Sequence, residues 1–345
     1  ETDQRRATNE ELALLIKKIL VFAGRTDLKK INDVDLPGMR GRVNIVYSPF
    51  GSKLTITKTR TDPLSIIDLL NNETLNTRMA ALLWLYVEGM GVKSANMLIV
   101  GGPGCGKTTL LNALLSFIPS RQHLVVIEDT FELVTTWIRN ASRLESDEDL
   151  SLADLVRNSL RMRPERIVVG EVRGREAEDM ITAMNIGKYC LGTIHASKTR
   201  DAILRLQSHP MNIPPTLVNM VDVFIVVQKE RRGDRTVRVV SEITETAGME
   251  NEMVLISPVW QYDSAVHRFV LSSPWMVFRD RLSRVSVIDS REIMAEVDRR
   301  ESLLASLRRA GIRSAAEVAA QCEAYLLHPR EQADGALSSA LSAGK

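Results

Sequence analysis

Cysteine is scarce in this sequence: three in 345 residues, Cys105, Cys190 and Cys322, with no CxxC pair among them. A four-cysteine zinc site is therefore excluded, no disulfide framework is expected, and a reducing cytoplasm fits. Aromatic residues make up only 5% of the chain, and none interleave with basic residues as a nucleic-acid stacking platform requires. Neither sign of charge dominates, since 45 lysines and arginines face 43 acids for a formal net charge of +2. That balance argues against a surface devoted to nucleic acid or to an anionic membrane, though not against a local patch. No apolar run approaches the roughly 18–20 residues of a membrane span, and no signal peptide is visible. The first residue is Glu1 rather than Met, which leaves room for an upstream part.

What is present is a chain of ordinary globular composition, 44% apolar and 26% charged. Its length suggests about two domains. Residues 10–24 read as an amphipathic helix ending at Gly24. The runs GRVNIVYS and KLTITKTR, joined by Pro49-Phe50-Gly51-Ser52, read as a hairpin. Residues 1–60 are thus expected to form a small α+β domain, with a linker near Lys58 to Pro63. Helices are expected at 64–70 and 75–90. Apolar strands then alternate with helices: LIVGG, LVVIED, RIVVGEV, CLGTIH and VFIVVQ. Continuous apolar strands in such alternation imply a parallel sheet covered on both faces. From Thr236 the pattern changes to antiparallel strands, VRVVSEIT, MVLISPVWQY and VHRFVLS. Two helices follow near 289–309 and 314–327, which either pack back on the core, the favoured reading, or dock a partner. The expected domains are 61–285 for the α/β domain with its antiparallel extension, 286–330 for the C-terminal helices, and 331–345 for a disordered tail. The methionines read as core packing rather than a cofactor site.

The strongest local signal is GGPGCGKT at 101–108. Gly101, four residues, then Gly106-Lys107-Thr108 is a complete P-loop pattern between a strand and a helix. Glycines let consecutive N–H groups turn toward phosphate oxygens, and the helix start adds its dipole. The loop residues Gly101, Gly102, Pro103, Gly104, Cys105, Gly106, Lys107, Thr108 and Thr109 are the expected ATP contacts. Lys107 reaches the β- and γ-phosphates and the Thr108 hydroxyl meets Mg²⁺.

Such a loop needs acids at neighbouring strand ends. Glu128-Asp129-Thr130 ends one strand and Glu171 ends another. A carboxylate there holds the metal through water or polarises the attacking water, and position alone does not decide which does which. His195 closes a third strand, where an imidazole can sense the γ-phosphate. His123, His209, His267 and His328 have no comparable setting and read as structural. Eight arginines cluster nearby: Arg139, Arg143, Arg157, Arg161, Arg163, Arg166, Arg173 and Arg175. Guanidinium groups clamp phosphoryl oxygens, often from a neighbouring subunit.

Four motifs in order, GGPGCGKT, VIEDTFEL, RMRPERIVVGEVRGREAEDMITAMNIG and GTIHAS, resemble the type II/type IV secretion ATPase superfamily. Within it they look most like the archaeal pilus and archaellum motors and the tight-adherence pilus ATPases. The resemblance takes in DPLSIIDLLNNETLNTRMAALLWLYVEGM and MNIPPTLVNMVDVFIVVQ, and spans roughly residues 36–270. It implies an α/β fold: a RecA-like P-loop ATPase domain with a mainly parallel sheet, preceded by an α+β N-terminal domain and followed by antiparallel strands and C-terminal helices. That N-terminal domain looks short here, with fewer strands than family members often carry.

The resemblance also implies roles. Glu128 activates the hydrolytic water, Glu171 supports Mg²⁺ through water, and His195 couples nucleotide state to the fold. Arg60 reaches nucleotide across the domain interface, and Arg139, Arg161 and Arg163 are candidates for an inter-subunit clamp. Asn185-Ile186-Gly187-Lys188 stands where the family more commonly has Asn-Thr-Gly-His, so no second histidine role carries over. The implied protein is a hexameric, Mg-dependent ATPase. Loss of the γ-phosphate would let its two domains rotate. It would drive a polytopic membrane platform protein from the cytoplasmic face, to assemble or retract a pilus-like filament or to power secretion. Neither zinc nor nucleic acid is an expected partner. The rival is a hexameric RecA-like nucleic-acid translocase, which would raise its ATPase rate with single-stranded nucleic acid in a salt-dependent way.

Overall fold

The computed structural model describes residues 8–25, 29–36, 41–58, 62–147 and 149–327. Arg60, His328 and the tail 331–345 lie outside the described residues, as do residues 59–61 of the expected linker. The chain divides into two compact units, Glu1–Thr61 with Thr130–Glu132, and Asp62–Asp129 with Leu133–Lys345.

In the first unit, helix α1 (Asn9–Phe22) starts where Thr8 and Glu11 form a reciprocal capping box. Three strands, β1 (Ile31–Asp35), β2 (Gly41–Val46) and β3 (Lys53–Lys58), form an antiparallel sheet in the order β1-β2-β3. Ile16, Ile19 and Leu20 of α1 pack with Val34, Val43 and Ile45. The β2–β3 hairpin is where the alternation placed it. Strand β1 was not anticipated, because INDVD carries two apolar residues at odd spacing and so shows no period of two.

The second unit is built on a nine-stranded sheet in the order β12-β11-β10-β9-β4-β8-β7-β5-β6. Its parallel part is β4 (Met97–Val100), β5 (Leu124–Glu128), β6 (Ala141–Glu145), β7 (Arg166–Val172), β8 (Tyr189–Ile194) and β9 (Val223–Arg232). The antiparallel part adds β10 (Arg235–Glu250), β11 (Met253–Asp263) and β12 (Arg268–Leu271). Strand β6 is a finding: all five of its residues, ASRLE, are only half-buried, so its sequence lacks the apolar run of its neighbours.

Alternation along the central strands divides the core in two. Met97, Ile99, Val126, Val168, Leu191, Val223 and Ile225 face one side. They meet α2 (Ile66–Asn71), α3 (Thr77–Glu88), α4 (Lys107–Leu114) and the C-terminal helices α10 (Ser290–Arg309) and α11 (Ala315–Leu327). Leu98, Val100, Val125, Ile127, Ile167, Val169, Phe224 and Val226 face the other. They meet α5 (Leu152–Ser159), α6 (Glu176–Asn185), α7 (Thr199–Gln207) and α8 (Pro215–Val218). Burying each such side chain is worth about 1.5–3 kcal/mol, which is why both faces must be covered.

The two C-terminal helices share the core of this unit instead of forming one of their own. Leu304 and Leu307 of α10 and Val318 and Tyr325 of α11 join the α3 side, where Trp84 stacks on Phe117 at 5.3 Å. Beneath α10, Arg300 donates to Glu88 (2.7 Å) and Glu296 (2.8 Å), and Tyr325 donates to Glu296 (3.0 Å). A further short helix, α9 (Val277–Ser286), precedes them. Among the described residues no helix is long and apolar enough to cross a membrane.

Candidate active site

The carboxyl ends of β4, β8, β7 and β5 lie side by side, and the residues that follow each strand meet there. From β4 the chain enters the loop at Gly101, whose N–H donates to the Ile194 carbonyl at 3.2 Å. A Cβ on Gly101 would strike Cys105 Sγ and sit 2.5 Å from the Val227 carbonyl oxygen, so only glycine fits. Gly104 and Gly106 have φ of +66° and +101°, the left-handed region that turns the loop back on itself. Helix α4 then begins at Lys107 with no side chain capping its first turn. A helix start without a side-chain cap, with its dipole, suits an anion.

Lys107 is buried and its Nζ donates to the Gly102 carbonyl at 3.1 Å. The same Nζ lies 3.4 Å from His195 Nδ1, and His195 Nε2 lies 3.3 Å from Glu171 Oε1. An ammonium can only donate, so Nδ1 accepts and the imidazole hydrogen points from Nε2 to Glu171. Lysine, histidine and carboxylate therefore form one relay across three adjacent strand ends. A β-bulge aims Glu171 into it. Val169 pairs with Gly192 but Val172 pairs with Ile194, so β7 carries one extra residue at Gly170–Glu171. The Thr193 hydroxyl pins this bulge by donating to the Gly170 carbonyl at 2.7 Å.

Glu128 ends β5 and is 3% exposed. One carboxylate oxygen accepts from the Leu133 N–H at 2.9 Å, and the other lies 3.5 Å from Arg143 Nη2 on β6. Gly170 makes room for it, since a Cβ there would lie 3.0 Å from Glu128 Cγ. Asp129 turns elsewhere: it accepts from Ser146 Oγ at 2.7 Å and pairs with Arg173. Thr108 and Thr109 are half-buried at the helix start. Among the described residues no three histidines, cysteines or acids converge on one point. A divalent ion here would take most of its ligands from phosphate and water, as magnesium does.

The arginines separate once they are placed. Arg139, Arg161 and Arg163 stay exposed. Arg143 serves Glu128 within the chain, and Arg157 pairs with Asp179 at 3.1 Å. Arg166 corrects the idea of one phosphate-binding group: it lies at the amino end of β7, fully buried. It donates to the Val87 carbonyl (2.7 Å), Ser94 (2.9 Å) and Gln122 (3.1 Å). Burial lowers its pKa to about 10. Two cations that sequence reading missed flank the loop on the other side. Arg238 Nε donates to the Gly104 carbonyl at 3.1 Å, and Lys229 Nζ lies 3.2 Å from the place of a Cβ on Gly104. Their signal was the Gly233-Asp234 turn, which pairs residue 229 with residue 238 once it is read as a hairpin.

Residues 35–253, more than half of the chain, match the family described as type II/IV secretion system protein. The chain belongs to that family. An uncharacterized protein of Methanocaldococcus jannaschii is 33% identical over 311 residues, covering 85% of this chain and 55% of that relative. The conjugal transfer protein TrbB of Rhizobium radiobacter is 32% identical over 165 residues, covering 45% of this chain and 50% of TrbB. The chain thus spans about half the length of both relatives. Among solved structures, the Yersinia pseudotuberculosis ATPase DotB superposes with a TM-score of 0.50 at 18% identity, covering 92% of this chain and 83% of DotB. At that identity the match speaks to the fold, which is the mixed α/β, RecA-like architecture of the secretion ATPases.

Proposed function

We propose that this chain is the ATP-hydrolysing motor of a secretion or pilus-type machine, and that the strand ends described above are its active site. The observation that carries the reading is the relay Lys107–His195–Glu171 beside a buried Glu128, all next to an uncapped P-loop. A triphosphate entering the loop takes the N–H groups of Gly102 and of residues 104–108, Pro103 having none to offer. It also draws Lys107 away from the Gly102 carbonyl and His195. His195 is then free to respond to the γ-phosphate while still held by Glu171. Magnesium, when bound, supplies charge neutralisation on the phosphoryl oxygens, and the Thr108 hydroxyl with Glu171 through water would hold it. Glu128, fixed by the Leu133 N–H and faced by Arg143, orients the attacking water and receives its proton. Lys107 and arginines neutralise charge on the transferred group.

The finer reading rests on family membership. The motor is a homo-hexamer in which Arg139, Arg161 or Arg163 completes a neighbour's site. It works at the cytoplasmic face on a polytopic membrane platform protein, moving a pilus-like filament or a secreted substrate. Arg60 is retained as a nucleotide contact on the same ground. The test is phosphate release by the purified chain with ATP and magnesium. Turnover that Lys107→Ala abolishes and EDTA suppresses is the expected result. A folded, concentrated chain that neither retains nor cleaves ATP overturns the reading.

A further inference from the structure

The hairpin of β9 and β10 rises beside the phosphate loop with three cations on one face, Lys229, Arg231 and Arg238. Lys229 and Arg238 are directly opposite each other in the register. Like charges in that position repel and destabilise a hairpin unless something anionic lies between them. The next acid, Glu230, belongs to the other face and is bonded to His267 at 3.0 Å. Both cations are turned to the loop: Arg238 donates to the Gly104 carbonyl at 3.1 Å, and Lys229 Nζ is within 3.2 Å of the place of a Cβ on Gly104. Gly104 has no side chain to obstruct them.

Topology says which part of a ligand they meet. In the order β10-β9-β4-β8-β7-β5, the loop strand β4 stands between the two groups. Glu171, His195 and Glu128, the groups suited to phosphoryl transfer, occupy the β8-β7-β5 flank. Lys229 and Arg238 occupy the β9–β10 flank. A phosphate chain laid along the loop with its transferred end toward the acids has its nucleoside end toward the cations.

We infer that Lys229 and Arg238 form a second cationic wall of the nucleotide site, gripping the phosphates that remain in the product. The inference rests on the nucleotide-binding reading above and names a binding subsite within it. Arg238 has a second task, since its bond to the Gly104 carbonyl holds the loop with its N–H groups inward. Lys229 has no such bond and isolates the ligand contact. A contact made equally to ATP and ADP lowers KM without raising kcat.

The experiment compares the wild-type chain with Lys229→Ala, Arg238→Ala and Lys229→Glu. It measures ADP and ATP binding, steady-state phosphate release, and melting with and without ADP. Lys229→Ala should weaken ADP and ATP alike, by about tenfold for a lost charge-assisted contact, with KM raised and kcat held. Lys229→Glu creates an ion pair with Arg238. It should raise the melting temperature of the nucleotide-free protein while removing the rise that ADP brings. A merely structural lysine would not give those opposite signs. If wild-type protein binds ADP and Lys229→Ala and Arg238→Ala bind it equally well, the inference is overturned and the functional reading stands. It is also overturned if the variants lose kcat and keep ADP affinity. If wild-type protein binds neither nucleotide, the functional reading fails and takes this inference with it.

Discussion

The charged cluster beneath α10 and the one at the ends of β5, β7 and β8 use the same residue types to opposite ends. Arg300 is 2% exposed and holds Glu88 and Glu296 at 2.7 and 2.8 Å. Its guanidinium also lies 4.8 Å from the centre of the Trp84 ring. Every approach to it is closed by packed side chains. At the strand ends the distances are longer: 3.4 Å from Lys107 to His195, 3.3 Å from His195 to Glu171 and 3.5 Å from Arg143 to Glu128. His195 and Glu171 are about one-third exposed there, at 30% and 36%. A short, sealed pair has no better partner to exchange for and ties α3 to α10. A long, open one is ready to be replaced by a phosphate. Sequence does not distinguish the two; enclosure does.

The comparison can be broken most directly at Glu128. Glu128→Gln keeps an acceptor for the Leu133 N–H but cannot take a proton. Phosphate release should fall by about 10²–10⁴-fold with little change in melting temperature. Full turnover would remove Glu128 from the active site. Arg300→Ala should do the reverse. Leaving Glu88 buried without its cationic partner, while Glu296 keeps Arg299 and Tyr325, costs about 3–5 kcal/mol, read as an earlier denaturation midpoint, with turnover per folded molecule kept. A folded Arg300→Ala protein of normal stability but low turnover would erase the division between the clusters.

A smaller effect is expected from Gly101→Ala, because the added methyl meets Cys105 and the Val227 carbonyl. The overpacking costs about 1–3 kcal/mol, and ATP binding should weaken as the loop shifts. Unchanged affinity would mean that the loop is not the cradle. The smallest effect is on pH dependence. Glu245 is buried and accepts from the Tyr86 hydroxyl at 2.6 Å, and burial raises its pKa above the ordinary 4.5. Between those two values the folded state binds more protons than the unfolded, so this group's contribution to stability falls as pH rises through the window. Glu245→Gln should flatten the decline in melting temperature above about pH 4.5. Asp222, raised by the same cause, preserves part of the slope. An unaltered profile would show that Glu245 carries none of it.

Much of the architecture could be read directly. The strands β4, β5, β7, β8 and β9 are apolar on both faces and announce a covered parallel sheet. The P-loop is local, because its chemistry comes from consecutive backbone groups whose geometry the glycines set. Glu171 and His195 were legible as polar residues ending apolar strands. The partner of Glu128 was not, because Arg143 rides on β6, an edge strand without an apolar run. The bulge at Gly170 was hidden too, since one extra residue in a strand changes no periodicity long enough to see. Arg166 misled for a related reason: composition counts an arginine near a motif the same whether it ends a strand or begins one.

By itself, then, the sequence determined the phosphate loop, the alternation of strands and helices, and the acids and histidine offered at strand ends. These depend on neighbours within a few residues. Tertiary structure alone decided which acid meets which cation, which arginine is sealed inside, and that Lys229 and Arg238 stand across the loop from the acids. Those choices depend on the order and register of strands far apart in the chain, and no local pattern encodes them.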